Sequence, residues 1–310
     1  KEVADKVIND LKEASSLLEN DSIRTYGVSA SESTGSNGNN DFRYRQYRLN
    51  YYAVQGLLAR AYMWIGDKSE AYNVATASEK DVFPWVSSYA ATSLSTPDRI
   101  FSSEVMFGLY NTSRLNQFNS LFNSSLEGDA LSFTGGLSGT NSKIEAFYGE
   151  GSTTDYRRKM WKVVTTEGGD SSEEGSDEDD NKSQSASYLL KYEDIELGNS
   201  YRYMIPLMRI SEFYLMIAEC TSDLTEATAA INEIRVHRSV ANVEPTAETL
   251  KDYITKEFAR EVIGEGQLFF YYKRNAMDKM ISGTSATESF NMELSDYVVP
   301  LPTVETSNRQ

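Results

Sequence analysis

Between Leu49 and Ile65 the chain carries two apolar stripes on what must be one helix. Leu49, Tyr52, Ala53, Gly56, Leu57, Arg60, Ala61 and Trp64 follow the i, i+3, i+4, i+7 rhythm, and Tyr51, Leu58, Tyr62 and Ile65 form a second stripe. A helix that is apolar on two sides has to be sandwiched between neighbours, so the chain is bound to layered helical packing. On this reading Trp64 belongs to the core. Gly66-Asp67 ends the helix, and a second one from Glu70 to Ala77 turns Ala71, Val74 and Ala75 inward. Leu58, Ala59, Tyr62, Ala71 and Ala75 fall at tetratricopeptide-repeat spacing, with small alanines where the two helices cross.

The same periodicity predicts further helices over residues 3–18, about 208–220, about 224–238 and about 247–263. In the first, Val3, Val7, Leu11 and Leu18 share a face, with Ile8, Ala14 and Leu17 beside it. Residues 27–41 are a Ser/Gly/Asn loop. The middle of the chain, 100–192, reads differently. Val105, Phe107 and Leu109 alternate with Met106, Gly108 and Tyr110, the period of a strand. Residues 160–165 and 187–192 read as two strands flanking an acidic stretch, which gives a hairpin with a long charged tip at 168–182. Residues 111–139, rich in Ser, Asn and Gly, are expected to be loop with short helical turns. The expected fold is mainly α: helix pairs of tetratricopeptide type at 49–77 and 208–238, plus a minor irregular region with a few strands.

Charge and composition narrow the chemistry. The net charge is −16, half of it from the eight acids of residues 167–180. Nucleic acid, which needs a basic footprint, is therefore not an expected partner. The single cysteine, Cys220, allows neither a disulfide nor a cysteine-based zinc site and reads as a small packed residue. The single histidine, His237, rules out a His-Glu-x-x-His motif, and neither a Gly-x-Ser-x-Gly elbow nor a phosphate loop occurs. A glycosidase needs only two suitably spaced carboxylates, so it stays open among 46 acids. The acidic run reads as a solvated loop, with weak Ca²⁺ binding as its functional alternative. No cofactor is expected otherwise. No run of 18 apolar residues is present, so no membrane span is expected.

The C-terminal third is the most specific part. It contains Ile205-Pro-Leu-Met-Arg-Ile-Ser-Glu-Phe-Tyr-Leu-Met-Ile-Ala-Glu219, then Ile231-Asn-Glu-Ile-Arg-Val-His-Arg238, Lys256-Glu-Phe-Ala-Arg-Glu-Val-Ile-Gly-Glu-Gly266 and Tyr272-Lys-Arg274. In that order these segments resemble the SusD/RagB family of outer-membrane nutrient-binding lipoproteins. The resemblance implies a single SusD-like domain over 1–310 and a binder rather than an enzyme. It implies capture of an oligosaccharide, or of a peptide as in RagB-type members, at the extracellular face of the outer membrane. It further implies hand-over to a SusC-like TonB-dependent transporter and attachment through a lipid anchor that this chain does not contain. The missing signal peptide and anchor suggest a processed or trimmed form. The motif residues Arg209, Glu212, Glu219, Glu261, Glu265 and Arg274 read as scaffold, closing ion pairs such as Arg209 with Glu212 at i, i+3.

No motif carries the ligand site across, so it is sought in loop aromatics near polar groups. Trp85 follows Pro84 after the first helix pair, with Tyr89 nearby; Phe147, Tyr148, Tyr156 and Trp161 surround the Gly149-Glu-Gly151 loop. Trp85, Tyr89, Tyr148, Tyr156 and Trp161 are the candidate ligand-binding residues. A pure interaction scaffold, holding peptides in repeat grooves, is the competing reading of the helix pairs.

Overall fold

The structure is a computed structural model describing residues 2–28, 45–137, 142–149, 153–166, 184–195, 199, 201–283 and 289–307. Most of the 27–41 loop, residues 150–151 and the whole acidic run 167–180 lie outside the described residues.

Four helices open the chain: α1 (Glu2–Leu17), α2 (Ser22–Tyr26), α3 (Tyr51–Ile65) and α4 (Lys68–Ala77). Both α1 and α4 pack on α3, which gives α3 its two apolar sides. Tyr52, Ala53, Leu58, Ala59, Tyr62 and Met63 are buried, and Ala71 and Ala75 of α4 have no exposed surface. The helix begins at Tyr51 because Asn50 caps it. Its Oδ1 accepts from the Ala53 N–H at 2.9 Å, and its amide donates to the Met106 carbonyl at 2.8 Å. Leu49 therefore falls outside the helix and is exposed.

Two positions depart from the sequence reading. Trp64 is not core: it is 52% exposed, because the neighbours of α3 cover Tyr62 and Met63 and leave Trp64 and Ile65 outside as α4 turns away at Gly66. In α1 the buried residue is Ile8, flanked by half-buried Ala4 and Leu11, while Val3 and Val7 are exposed. With α3 as its main contact, α1 buries only a narrow seam, rotated by one residue from the Val3–Val7 stripe.

The middle region contains α5 (Ser88–Thr92), β1 (Val105–Tyr110), α6 (Arg114–Leu121), β2 (Ser132–Leu137), α7 (Ser142–Tyr148), β3 (Trp161–Thr166), β4 (Gln184–Leu189) and β5 (Met204–Arg209). β3 and β4 pair antiparallel from Trp161↔Leu189 to Thr166↔Gln184, as the hairpin reading expects. β2 adds to the other side of β4, so the sheet order is β2-β4-β3. The second sheet joins β1 to β5. Neither β2 nor β5 was foreseen. In β5, Met204, Pro206 and Met208 point inward at period two, and Pro206 is tolerated because a two-stranded sheet has only edges.

The C-terminal part holds α8 (Ile210–Cys220), α9 (Leu224–Val236), α10 (Leu250–Val262), α11 (Leu268–Arg274), β6 (Lys279–Ile281), β7 (Ser289–Asn291) and α12 (Thr303–Ser307). α8 packs on α4 and α9, and α10 covers both α8 and α9. The layers approach closely where β5 crosses α3: a Cβ on Gly56 would stand 1.9 Å from the Met208 sulfur. Cys220 is half-buried, its sulfur 3.1 Å from that of Met63, and burial pushes its thiol up to about 11. Among the described residues, no helix is long and apolar enough to cross a membrane.

A buried ion network pins the irregular middle to the helices. Arg238, after α9, bonds Glu104 at 2.6 Å and Glu261 of α10 at 2.8 Å. Arg157, before β3, reaches Asp155, Glu257 and Glu261 at 2.6–2.8 Å. Arg209 closes on Glu265, and Lys191 joins the same carboxylate at 2.5 Å. Arg209 does not pair with Glu212, because it sits at the end of a strand and points away from α8; Glu212 is taken by Arg60 at 2.6 Å and Glu219 by Arg274 at 2.7 Å. Burial opposes the charge on Glu261, yet Arg238, Arg157 and Arg209 together hold its carboxyl well below the usual range. Burial also lowers the Lys191 ammonium to about 8, against the pull of Glu265.

Candidate ligand-binding site

Tight turns place the residues that matter most. After α10 the chain reverses through Ile263-Gly264-Glu265-Gly266, with both glycines at positive φ, 75° and 73°. A Cβ on Gly264 would lie 2.5 Å from Cδ2 of Leu189, so only glycine lets the turn lie against β4. This close approach makes the turn one wall of a cavity of about 600 Å³. The opposite walls come from α6, β2 and the start of β3: Leu121, Phe122, Phe133 and Trp161. Such a volume lies within the range of small-molecule sites.

Trp161 sets the chemistry of this wall. Its ring stacks on Phe133, with centroids 4.5 Å apart and planes at 16°. Its indole N–H donates to the Tyr148 hydroxyl at 3.0 Å, which fixes the ring. Phe133 in turn meets Phe147 edge-on at 5.3 Å, and Phe147 meets Tyr148 at 5.0 Å. Among the described lining residues the polar groups are few: Gln117, Ser132, the Tyr192 ring end and Glu265. The Glu265 side chain is only 3% exposed and is neutralised from behind by Lys191 and Arg209.

The structure thus brings together three of the aromatics around the Gly149 loop, Phe147, Tyr148 and Trp161. Trp161 faces the cavity, whereas Tyr148 is 2% exposed and supports it from behind. Tyr156 is placed elsewhere. It is 6% exposed, packs edge-on against Phe101 at 5.7 Å and donates to the His237 carbonyl at 2.5 Å. Burial pushes its hydroxyl up to about 12. Trp85 is half-buried, stacked on His237 at 4.7 Å and 11°, with the Arg238 guanidinium 5.1 Å from its ring. Tyr89, on α5, is 84% exposed. Neither Trp85 nor Tyr89 lines the cavity.

Sequence reasoning missed Phe133, Leu131 and the Ile263–Gly266 turn. Leu131-Ser-Phe133 was detectable as an apolar alternation inside an otherwise polar stretch. A second, smaller cleft of about 100 Å³ lies across the helices, where exposed Trp64 and Phe270 flank the Arg60–Glu212 and Arg274–Glu219 pairs. Among the described residues, no group of three or more His, Cys, Asp or Glu side chains could hold a metal ion.

Comparison with known proteins agrees with the geometry of the fold. No curated protein matches the sequence. A SusD-like protein from Bacteroides fragilis superposes with a TM-score of 0.61 at 16% identity, covering 99% of this chain and 69% of that one. The surface glycan-binding protein A from Bacteroides uniformis gives 0.59 at 16% identity, covering 99% and 67%. A SusD-like carbohydrate binding protein from Bacteroides vulgatus gives 0.57 at 16% identity, covering 92% and 53%, so this chain spans about half the length of that relative. At these identities the likeness speaks for the fold. The family model for the SusD family matches residues 15–299, nearly the whole chain, and the protein therefore belongs to the SusD family.

Proposed function

We propose that the chain binds an oligosaccharide nutrient without turning it over, and that Trp161 anchors the ligand at the cavity beside the Ile263–Gly266 turn. The observation that carries this reading is the Trp161–Phe133 stack: a large apolar face, held rigid by the Tyr148 hydrogen bond and open to a cavity of about 600 Å³. Sugars present apolar C–H faces to such rings at little side-chain entropy cost. Two of the structural neighbours are described as carbohydrate- or glycan-binding, which supports the same ligand class. Trp85 and Tyr89 form a separate candidate contact for a longer chain.

A binding role without catalysis agrees with the cavity's polar inventory. Hydrolysis of a glycoside uses two carboxyl groups that flank the bond. Glu265 is the one carboxylate among the described lining residues, and it is already engaged by Lys191 and Arg209. In this reading the ligand passes to a SusC-like TonB-dependent transporter at the outer-membrane surface, where a lipid anchor holds the full protein. Peptide is the alternative ligand. A glycan array and a peptide library probed side by side, followed by calorimetry on Trp161→Ala, test the proposal. Glycan binding that weakens about thirtyfold in the folded variant is expected. Selective peptide capture, or steady release of reducing sugar, overturns it.

A further inference from the structure

The described walls of the cavity offer more apolar surface than a bare sugar ring can match. Its described walls are mostly hydrocarbon, with Leu121, Phe122, Phe133, Trp161, Leu189 and Ile263 at its sides. Among the described lining residues the one charge, Glu265, has its partners on the protein side. A pyranose carries several hydroxyl groups. Hydroxyls turned against these walls would lose water without finding a partner, at roughly 1–3 kcal/mol each. An apolar group meets the opposite balance, gaining about 25 cal/mol for each Å² removed from water. Space is not limiting, since a cavity of roughly 150 Å³ suffices for a benzene ring, and this one measures about 600 Å³. Hydroxyls find partners where Gln117 and Ser132 line the cavity, close in sequence to exposed Leu121 and Leu131.

Resting on the saccharide-binding reading above, we infer that the cavity also receives an aryl group carried by the saccharide, packed on the apolar walls beside the sugar ring that Trp161 anchors. A flat aromatic group is favoured because the walls beside Trp161 include two further rings, Phe122 and Tyr192, with centroids 5.8 Å apart. The ligand class is an aryl-substituted oligosaccharide, such as a glycan esterified with an aromatic acid or an aryl glycoside. Neutrality of the substituent follows from the Glu265 carboxylate, whose charge is matched by its own partners and needs none from the ligand.

The experiment compares matched pairs. Methyl and 4-nitrophenyl glycosides of gluco-, manno- and xylo-oligosaccharides are titrated calorimetrically into the full chain. The aryl member of a binding pair should be tighter by about tenfold or more, and Ala130→Trp, a bulky side chain on the cavity's lining, should reduce that preference to within twofold. Equal affinities within twofold, with Trp161→Ala weakening both, would leave the saccharide reading standing and overturn the aryl inference. A preference that survives Ala130→Trp in a variant of unchanged melting temperature overturns it as well. If neither member of any pair binds, the saccharide reading and the inference fall together.

Discussion

Arg238 and Glu261 meet in a two-pronged, fully buried pair: Nε donates to one carboxylate oxygen at 2.8 Å and Nη2 to the other at 2.9 Å. These are the last residue of the Ile231–Arg238 segment and an acid of the Lys256–Gly266 segment. The same carboxylate also accepts from Arg157 at 2.8 Å. Glu261→Gln should therefore destabilise the fold by about 3–5 kcal/mol, since it removes one of the carboxylates that balance the buried guanidinium groups of Arg238, Arg157 and Arg209. Urea denaturation checks this, and a loss below about 1 kcal/mol would falsify the account of the network.

Asp98 gives a pH signature of unusual sign. Burial pushes its carboxyl up to about 6, although it accepts from the Ser102 N–H and hydroxyl. A carboxyl whose folded pKa lies above its unfolded one is a penalty that is absent below about pH 4 and fully present above about pH 6, at most about 3 kcal/mol. The stability of wild type minus that of Asp98→Asn should fall as pH rises through that window. Melting temperatures of both proteins across pH 4–7 decide it. A flat or rising difference would show that Asp98 is ionised without cost. Glu261 acts in the opposite sense: its depressed pKa contributes stability above the unfolded value that is lost as pH falls through the folded one.

Leu58, 5% exposed, sits where α3 meets its neighbours. Leu58→Ala should cost roughly 2–5 kcal/mol in chemical denaturation. Trp64→Ala, at an exposed position, should cost under about 1 kcal/mol. The reverse order would mean that the two faces of α3 are misassigned.

The acidic run 167–180 should be dispensable for folding, because its eight carboxylates have no base within it to pair with. A short Gly/Ser linker joining β3 to β4 should leave the melting temperature within a few degrees of wild type or raise it. A large fall, together with Ca²⁺ stabilisation of the wild type alone, would assign the run to a docked cation site instead.

The helix pairs were legible because burial and period coincide: Leu58, Tyr62, Ala71 and Ala75 are core for the reason their spacing gives. Trp64 was misread because hydropathy reports what a side chain prefers and not whether a neighbour arrives to cover it. β5 was missed because its inward residues, Met204, Pro206 and Met208, run directly into a strong helix, and a proline within a run argues against a strand. The partners of Arg209 could not be found locally. It reaches Glu265, 56 positions away, rather than Glu212, 3 positions away. The cavity was half legible: Trp161 stood out as a loop-edge aromatic, but Phe133 reaches it only through β4, which lies between β2 and β3.

The ion network also bears on the order in which the chain can assemble. Its members come from before β1, from the turn before β3, from Lys191, from the end of β5, from the end of α9 and from α10 and the turn after it. Any partly assembled core that lacks one of these segments leaves a charge in a low-dielectric interior with no partner. Incomplete intermediates are thereby raised in energy relative to both the unfolded chain and the finished one. The cluster thus works as a checkpoint that couples the helical layers to the irregular middle, so that neither persists long without the other.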